Sequence, residues 1–406
     1  MSMYDKIDFL HNIVFKRFVR MPYGHLLDYS APDIKDTPIP TKEECEKGIP
    51  NALSWWLPIE NGSFFTSLYL YALMDKYDAV DDASLHNDVM TLLNGLYVFQ
   101  DVCKQKGFIC RGVADDGISH YPLGSDDQTG PWVMALYRLY RSPKVSDEIK
   151  VEIKERIKTV ADTLYENNFD LVTEYEGIYR GSFANPDWRG CCNNLFVHGV
   201  MSKLFGGEWT DRFKAAKHEH PKGSIFERLQ IVSHGFASDM VHNNGLIQFW
   251  IDICNHICLK ELAVIDEKEK DMYLRGTMLN GATVQRFMRN YKLYIPNQKM
   301  DYDFRKLNHL YEPFDGDTGH EATKAIKQCQ YWEENIAPAR KQEHHVLGQS
   351  LFAIWTAVTS GYEPVIEDAK KALEECLEVV DFEKLHLCYS FVAEASLIFI
   401  KYNKIG

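Results

Sequence analysis

The chain has 406 residues, with 45 Lys or Arg against 58 Asp or Glu and a formal charge of −13 at neutral pH. Phosphate binding needs concentrated cations, so this balance argues against a nucleic-acid or anionic-membrane partner, and no stretch approaches the ~18 apolar residues of a membrane span. A hydrophobic content of 45% with 13% aromatic is ample for a large core and leaves rings over to line a cleft.

Residues 5–20 open the chain as an amphipathic helix, with Ile7, Phe9, Leu10, Ile13, Val14 and Phe18 on roughly one side. Charges recur every few residues there, unlike a signal peptide, although a removed export signal stays open. A Pro- and Asp-rich loop follows, holding a short helix that Thr41 and Glu44 would open as a capping box. SWWLPIENGS then leads into FFTSLYLYALMDKY, which is apolar on nearly all sides, with Glu60 and Asn61 just ahead of it.

A helix over residues 84–104 precedes the loop RGVADDGISHYPLGSDDQ and the segment TGPWVMALYRLYR. His120, Asp126, Asp127 and Gln128 here form a polar cluster delivered to the start of a helix made for burial. Pro131 suits its first turn, where a missing N–H costs nothing. Residues 147–164 read as a one-faced surface helix. GIYRGSFANPDWRG, with Asp187, Trp188 and Arg189, precedes an apolar helix over 191–205. Polar helical material over 210–239 leads to His242, Asn243 and Asn244, and then to the interior run LIQFWIDICNHICL. A mixed helix spans 266–292. Residues 296–320 are irregular and hold EPFDGDTGH, with Asp315, Asp317 and His320; such a long loop is expected over a cavity mouth. His344 and His345 precede the apolar VLGQSLFAIWTAVTSG, and an amphipathic helix and a last apolar one over 385–402 close the chain.

Buried helices therefore start near 61, 131, 191, 244, 346 and 386, with more amphipathic ones between them. Strand-like alternation is almost absent. Six inner and outer alternations predict an all-α fold, an (α/α)6 toroid of about twelve long helices forming a single domain over 1–406. In such a toroid the inner helices run one way, so the polar clusters ahead of them converge at one end of the central cavity. Any one cluster alone reads as helix capping. Five on one rim, bearing His, Trp and paired carboxylates, exceed what capping needs.

The helix plan, with ENGSFF opening one inner helix and HYPLGSDDQTGPW opening the next, resembles the six-hairpin glycosidase superfamily, which includes unsaturated glucuronyl hydrolases. The resemblance implies a carbohydrate-directed enzyme with a carboxylate-bearing cavity and a small carbohydrate substrate. The residues allow this independently, since glycoside cleavage needs one protonated and one ionised carboxyl. Asp127 is the expected acid or water-activating group, with Asp187 or Glu60 as partner. Trp132, Trp188, Tyr121 and the Trp55-Trp56 pair offer stacking faces, and Arg189 a fork for a uronate carboxylate. Asn61, His120, Asp126, Gln128, His242, Asn243, Asp317, His320 and His345 complete the expected substrate contacts.

A second reading is a sugar epimerase or polysaccharide lyase, with His344 or another of these histidines as a base near neutral pH. A third is a non-catalytic carbohydrate-binding toroid. No GxSxG, GxGxxG or P-loop is present. Ten cysteines without disulfide-like spacing read as reduced thiols in a cytoplasmic compartment. Cys191-Cys192 and the trio Cys254, His256 and Cys258 lack paired CxxC spacing, so they read as buried small side chains; no metal and no cofactor is expected. Oligomeric state leaves no signal.

Overall fold

The computed structural model describes residues 3–237 and 248–403. The first helix, α1 (Lys6–Arg17), buries Ile7, Leu10, Ile13 and Val14, while Phe9 turns outward and is 39% exposed. Two-residue strands β1 (Val19–Arg20) and β2 (His25–Leu26) pair antiparallel. The short α2 (Lys42–Lys47) opens on the expected box: Thr41 Oγ1 accepts from Glu44 N at 3.2 Å, and Glu44 accepts from Thr41 N at 2.8 Å. Gly48 ends it in the left-handed region at φ 66°.

From there buried and half-exposed helices alternate. α3 (Gly62–Ala79) is buried on nearly every side and α4 (Ala83–Asp101) on one face. α5 (Asp126–Tyr140) is followed by the amphipathic α6 (Asp147–Glu166), then by a ribbon of β3 (Asp170–Val172) and β4 (Tyr179–Ser182). α7 (Trp188–Phe205) is buried; α8 (Glu208–His218) and α9 (Arg228–Ser233) cover it. α10 (Phe249–Ile265) packs on α11 (Lys270–Val284). After α12 (Thr318–Tyr331) the helix widens into a π turn, Trp332–Ile336; α13 (Pro338–Gln342) then runs through a second, Glu343–Gly348, into α14 (Gln349–Val358). α15 (Glu363–Val379) and α16 (Ser390–Tyr402) end the chain.

All sixteen helices and the two ribbons make the described residues predominantly helical with little sheet. The six most buried helices are successive neighbours: α3 packs on α5, α5 on α7, α7 on α10, α10 on α14, α14 on α16, and α16 on α3. The more polar α4, α6, α8, α11 and α15 each pack on the buried helix that precedes them, and α1 packs on α16. Apolar burial explains this division, because a helix covered on both sides has no polar stripe to spare. No described helix is long and apolar enough to cross a membrane.

Several boundaries differ from the sequence reading. α5 begins at Asp126, so the polar cluster itself forms the first turn, where carboxylates favour the positive end of the helix. Pro131 therefore stands inside the helix and has no N–H to return to the carbonyl of Asp127. The polar stretch after residue 210 is broken near Pro221 into α8 and α9. The helix expected over 266–292 stops at Val284 and continues as 3-10 turns, Gln285–Phe287 and Asn290–Leu293.

Candidate functional site

A cavity of about 610 Å³ lies where the buried helices begin. Glu60 reaches it from just before α3, Asp126 and Asp127 from the first turn of α5, Arg189 from that of α7, and Trp250 from that of α10. His344 and His345 arrive on the π turn before α14. An adjoining pocket of about 20 Å³ adds Asp28, Asn61 and Tyr389, the last standing at the start of α16.

The floor is built by hydrogen bonds between loops and helix starts. Asn61 donates to Asp28 from both its backbone and its side chain, each at 2.7 Å. Gln128, fully buried, donates to Asn61 Oδ1 at 3.2 Å and accepts from Phe64 N at 3.1 Å, cross-linking the first turns of α3 and α5. Ser63 N donates to Arg111 O at 2.9 Å, which draws the loop carrying Arg111 against α3. Gly62 permits that approach, since a Cβ there would meet Arg111 O at 2.7 Å.

Two arginines organise the carboxylates. Arg111 donates to the Glu60 carbonyl at 3.2 Å and to Ser125 Oγ at 2.9 Å, and lies 3.9 Å from Asp127. Ser125 in turn donates to Asp127. Arg340 pairs with Glu333 at 2.5 Å and stands 3.6 Å from Glu60; His345 Nε2 approaches Glu333 at 3.1 Å. Arg180, on β4, also lines the cavity but makes no hydrogen bond or ion pair with a described residue, and its Nε is buried.

These surroundings separate the protonation states. Burial holds the Glu60 carboxyl well above the usual range, with the charge of Asp28 adding to it. Burial likewise raises Asp127, against the pull of Arg111, and pushes Asp28 up to about 7. Glu333 goes the other way: burial opposes ionisation, but His345 and Arg340 hold it at about 2. The His344 imidazole is pushed down by burial and then by Arg340, so it is neutral, with Nδ1 against the Tyr389 hydroxyl and its ring 5.4 Å from that of Trp250. The cavity thus brings together carboxyls pushed toward protonation, one held ionised, a neutral imidazole and a guanidinium with no hydrogen-bonded partner among the described residues, beside the partly buried Trp55 and Trp250.

Glu60, Asn61, Asp126, Asp127, Arg189, His344 and His345 are the expected residues that meet here. Gln128 supports the floor. Arg189 donates to Asp252 at 2.7 Å while facing the cavity. Other expected residues are engaged elsewhere. Asp187 accepts from Gly190 N at 2.7 Å, the N-cap bond of α7. Trp132 is fully buried with Nε1 donating to Leu96 O at 2.8 Å, Trp188 packs edge-on to Phe236, and the Tyr121 hydroxyl donates to Ile49 O. These rings do not line the cavity, because each is spent on core packing, where a large apolar surface gains most. His120 faces Glu174 at 3.0 Å outside the lining. Asp317 caps α12, and the exposed His320 pairs with Asp315 at 3.2 Å. His242 and Asn243 lie outside the described residues.

The segment 296–320 supplies no lining residue, contrary to its expected place over the mouth. Its side chains anchor it elsewhere instead: Arg305 to Glu44 of α2 at 2.6 Å, Tyr302 to His386 at 2.7 Å, and Phe314 stacked on Tyr175 at 4.9 Å. His256 bonds Thr359 at 3.1 Å and Asn280 at 3.2 Å in the core, and Cys191, Cys192, Cys254 and Cys258 are buried.

Sequence reasoning missed Asp28, Arg111, Arg180, Trp250, Glu333 and Arg340. A faint signal existed for two of them, since Arg111 interrupts the apolar run FICRGV and Arg340 follows the apolar IAPA. A charge inside an apolar run is costly unless a partner waits for it. The chain matches no known protein family, no characterised protein and no solved structure.

Proposed function

We propose that the neighbour sequence α3, α5, α7, α10, α14, α16 forms the inner ring of an (α/α)6 toroid, that the whole chain is one such domain, and that its cavity is the site of a glycoside hydrolase acting on oligosaccharides. The observation that carries this reading is the pair of opposed environments in one cavity: Asp127 held toward its protonated form and Glu333 ionised. Glycoside cleavage asks for that division of labour, a proton donor to the leaving oxygen and a carboxylate to stabilise or attack the sugar carbon. Asp127 is the acid in this scheme. Glu333 takes the partner role first given to Asp187 or Glu60, because Asp187 is committed to its cap and Glu60 is itself pushed toward protonation. Trp55 and Trp250 provide apolar faces for sugar rings. Arg180, near Asp126 and Asp127 but without a hydrogen-bonded side-chain partner among the described residues, favours an anionic sugar such as a uronate.

A second reading rests on His344. A neutral imidazole hydrogen-bonded to a buried tyrosine hydroxyl is suited to abstract a carbon-bound proton, the first step of an epimerase or polysaccharide lyase. One assay separates these readings: release of reducing ends, or of an unsaturated-uronate chromophore, from a broad oligosaccharide panel by the wild type, Asp127→Asn, Glu333→Gln and His344→Ala. The hydrolase requires selective loss in both carboxylate variants. Loss confined to His344→Ala transfers the assignment to the lyase or epimerase, and sugar binding by the wild type without turnover leaves a carbohydrate-binding protein.

A further inference from the structure

Outside the cavity, Cys103, His120 and Glu174 each bring one ligand atom to within 4.8 Å of the others. Cys103 follows α4, His120 lies on the loop that carries Arg111, and Glu174 lies between β3 and β4, the ribbon that carries Arg180. His120 Nδ1 is 3.1 Å from the carbonyl of Ile118. A carbonyl only accepts, so Nδ1 donates to it, and Nε2 donates in turn to the Glu174 carboxylate at 3.0 Å. A ring whose outer nitrogen is fixed by a backbone carbonyl, with the inner one turned to other donors, has the arrangement of a metal-bound histidine. Lys104 N donates to the Glu174 carboxylate at 2.8 Å and orients it in the same way.

We propose that Cys103, His120 and Glu174 form a zinc site that ties the Arg111 loop to the β3–β4 ribbon. A thiol, an imidazole and a carboxylate suit the borderline-soft Zn²⁺, with a water completing its four-coordinate preference, and not Mg²⁺ or Ca²⁺, which take oxygen. Bound zinc would take the Cys103 thiol as a thiolate and the His120 imidazole without its Nε2 proton, releasing both protons to solvent. The site staples the irregular Arg111 loop to the β3–β4 ribbon, and so holds Arg111 and Arg180 at the cavity. It is independent of the reaction assigned to that cavity, because its readout is metal and not turnover.

The test uses the full chain, stripped with a chelator and titrated with Zn²⁺ and with Co²⁺. One equivalent of either metal per chain is expected, with a thiolate-to-cobalt charge-transfer band in the near ultraviolet. Cys103→Ala and His120→Ala should abolish the band and weaken zinc by more than ~100-fold, beyond the loss typical of an outer-shell change; Cys191→Ala should keep both. Should the alanine variants fail to fold, Glu174→Gln keeps the shape and must still weaken zinc and alter the cobalt spectrum. A stripped wild-type chain that is folded by circular dichroism yet takes up no zinc overturns the proposal. So does a cobalt band that survives Cys103→Ala, and His120 and Glu174 are then a plain ion pair.

Discussion

Asp127 and Glu333 face one cavity under opposite electrostatic pressure, and the reading of this protein as a hydrolase stands on that contrast. Asp127→Asn keeps the shape and the hydrogen bond from Ser125 while removing the transferable proton. Turnover should fall by roughly two to four orders of magnitude, the usual worth of a general acid, with unfolding stability changed by about 1 kcal/mol or less; kcat and denaturant melts on the two proteins check this. The two tryptophans test burial against contact. Trp132→Ala should cost ~3–5 kcal/mol as a core truncation, whereas Trp250→Ala should raise KM up to about tenfold at modest cost in stability, the scale of a single aromatic contact. A different residue carries a pH signature. His11 sits 3.0 Å from Asp88 and 3.1 Å from Glu394; burial opposes its charge, but the carboxylates raise it to about 9. A folded value above the ordinary ~6.5 means that the charged ring stabilises the fold. That contribution is complete below pH ~6.5 and is lost as pH rises through about 9. Denaturant stability of the wild type should therefore decline across this window more steeply than that of His11→Asn; parallel profiles would rule the coupling out.

At the scale of elements, the beginnings of helices matter more than their middles. The start of α3 is pressed against the backbone of Arg111, and Gly62 alone leaves room for it. Gly62→Ala should cost ~1–3 kcal/mol through overpacking and, by displacing Arg111, should also lower turnover, so melting temperature and kcat ought to fall together. The two π turns place Glu333 and the His344-His345 pair at the cavity. Such widened turns redirect side chains away from the regular helical stripe, which is why a 3.6-residue pattern could register the helices without registering Glu333. The capping box of α2 was legible because Thr41 and Glu44 satisfy each other locally, with no need of the rest of the chain.

Across the whole molecule, α16 returns to α3 and also covers α1 and α14, with Phe391, Val392, Leu397 and Ile398 fully buried. Ending the chain before Ser390 should uncover apolar faces on all three, giving a species that keeps far-ultraviolet helicity, binds a hydrophobic dye and loses its cooperative melt. A truncated chain that melts cooperatively at the wild-type temperature would deny α16 that role. Along the chain, apolar periodicity by itself determined the helical class, the alternation of buried and half-exposed helices, and the polar groups Glu60, Asp126, Asp127, His344 and His345 at helix starts. Periodicity reports which faces avoid water, and that is settled locally by composition and spacing. Only the tertiary structure decided which polar groups share a cavity. Asp187 went to a cap, Trp132 to the core and His120 to Glu174, while Arg111, Arg180, Glu333 and Arg340 came in from loops and irregular turns. Those choices depend on partners far away in sequence, whose attraction exists only once packing has excluded water and brought the charges within a few ångströms of one another.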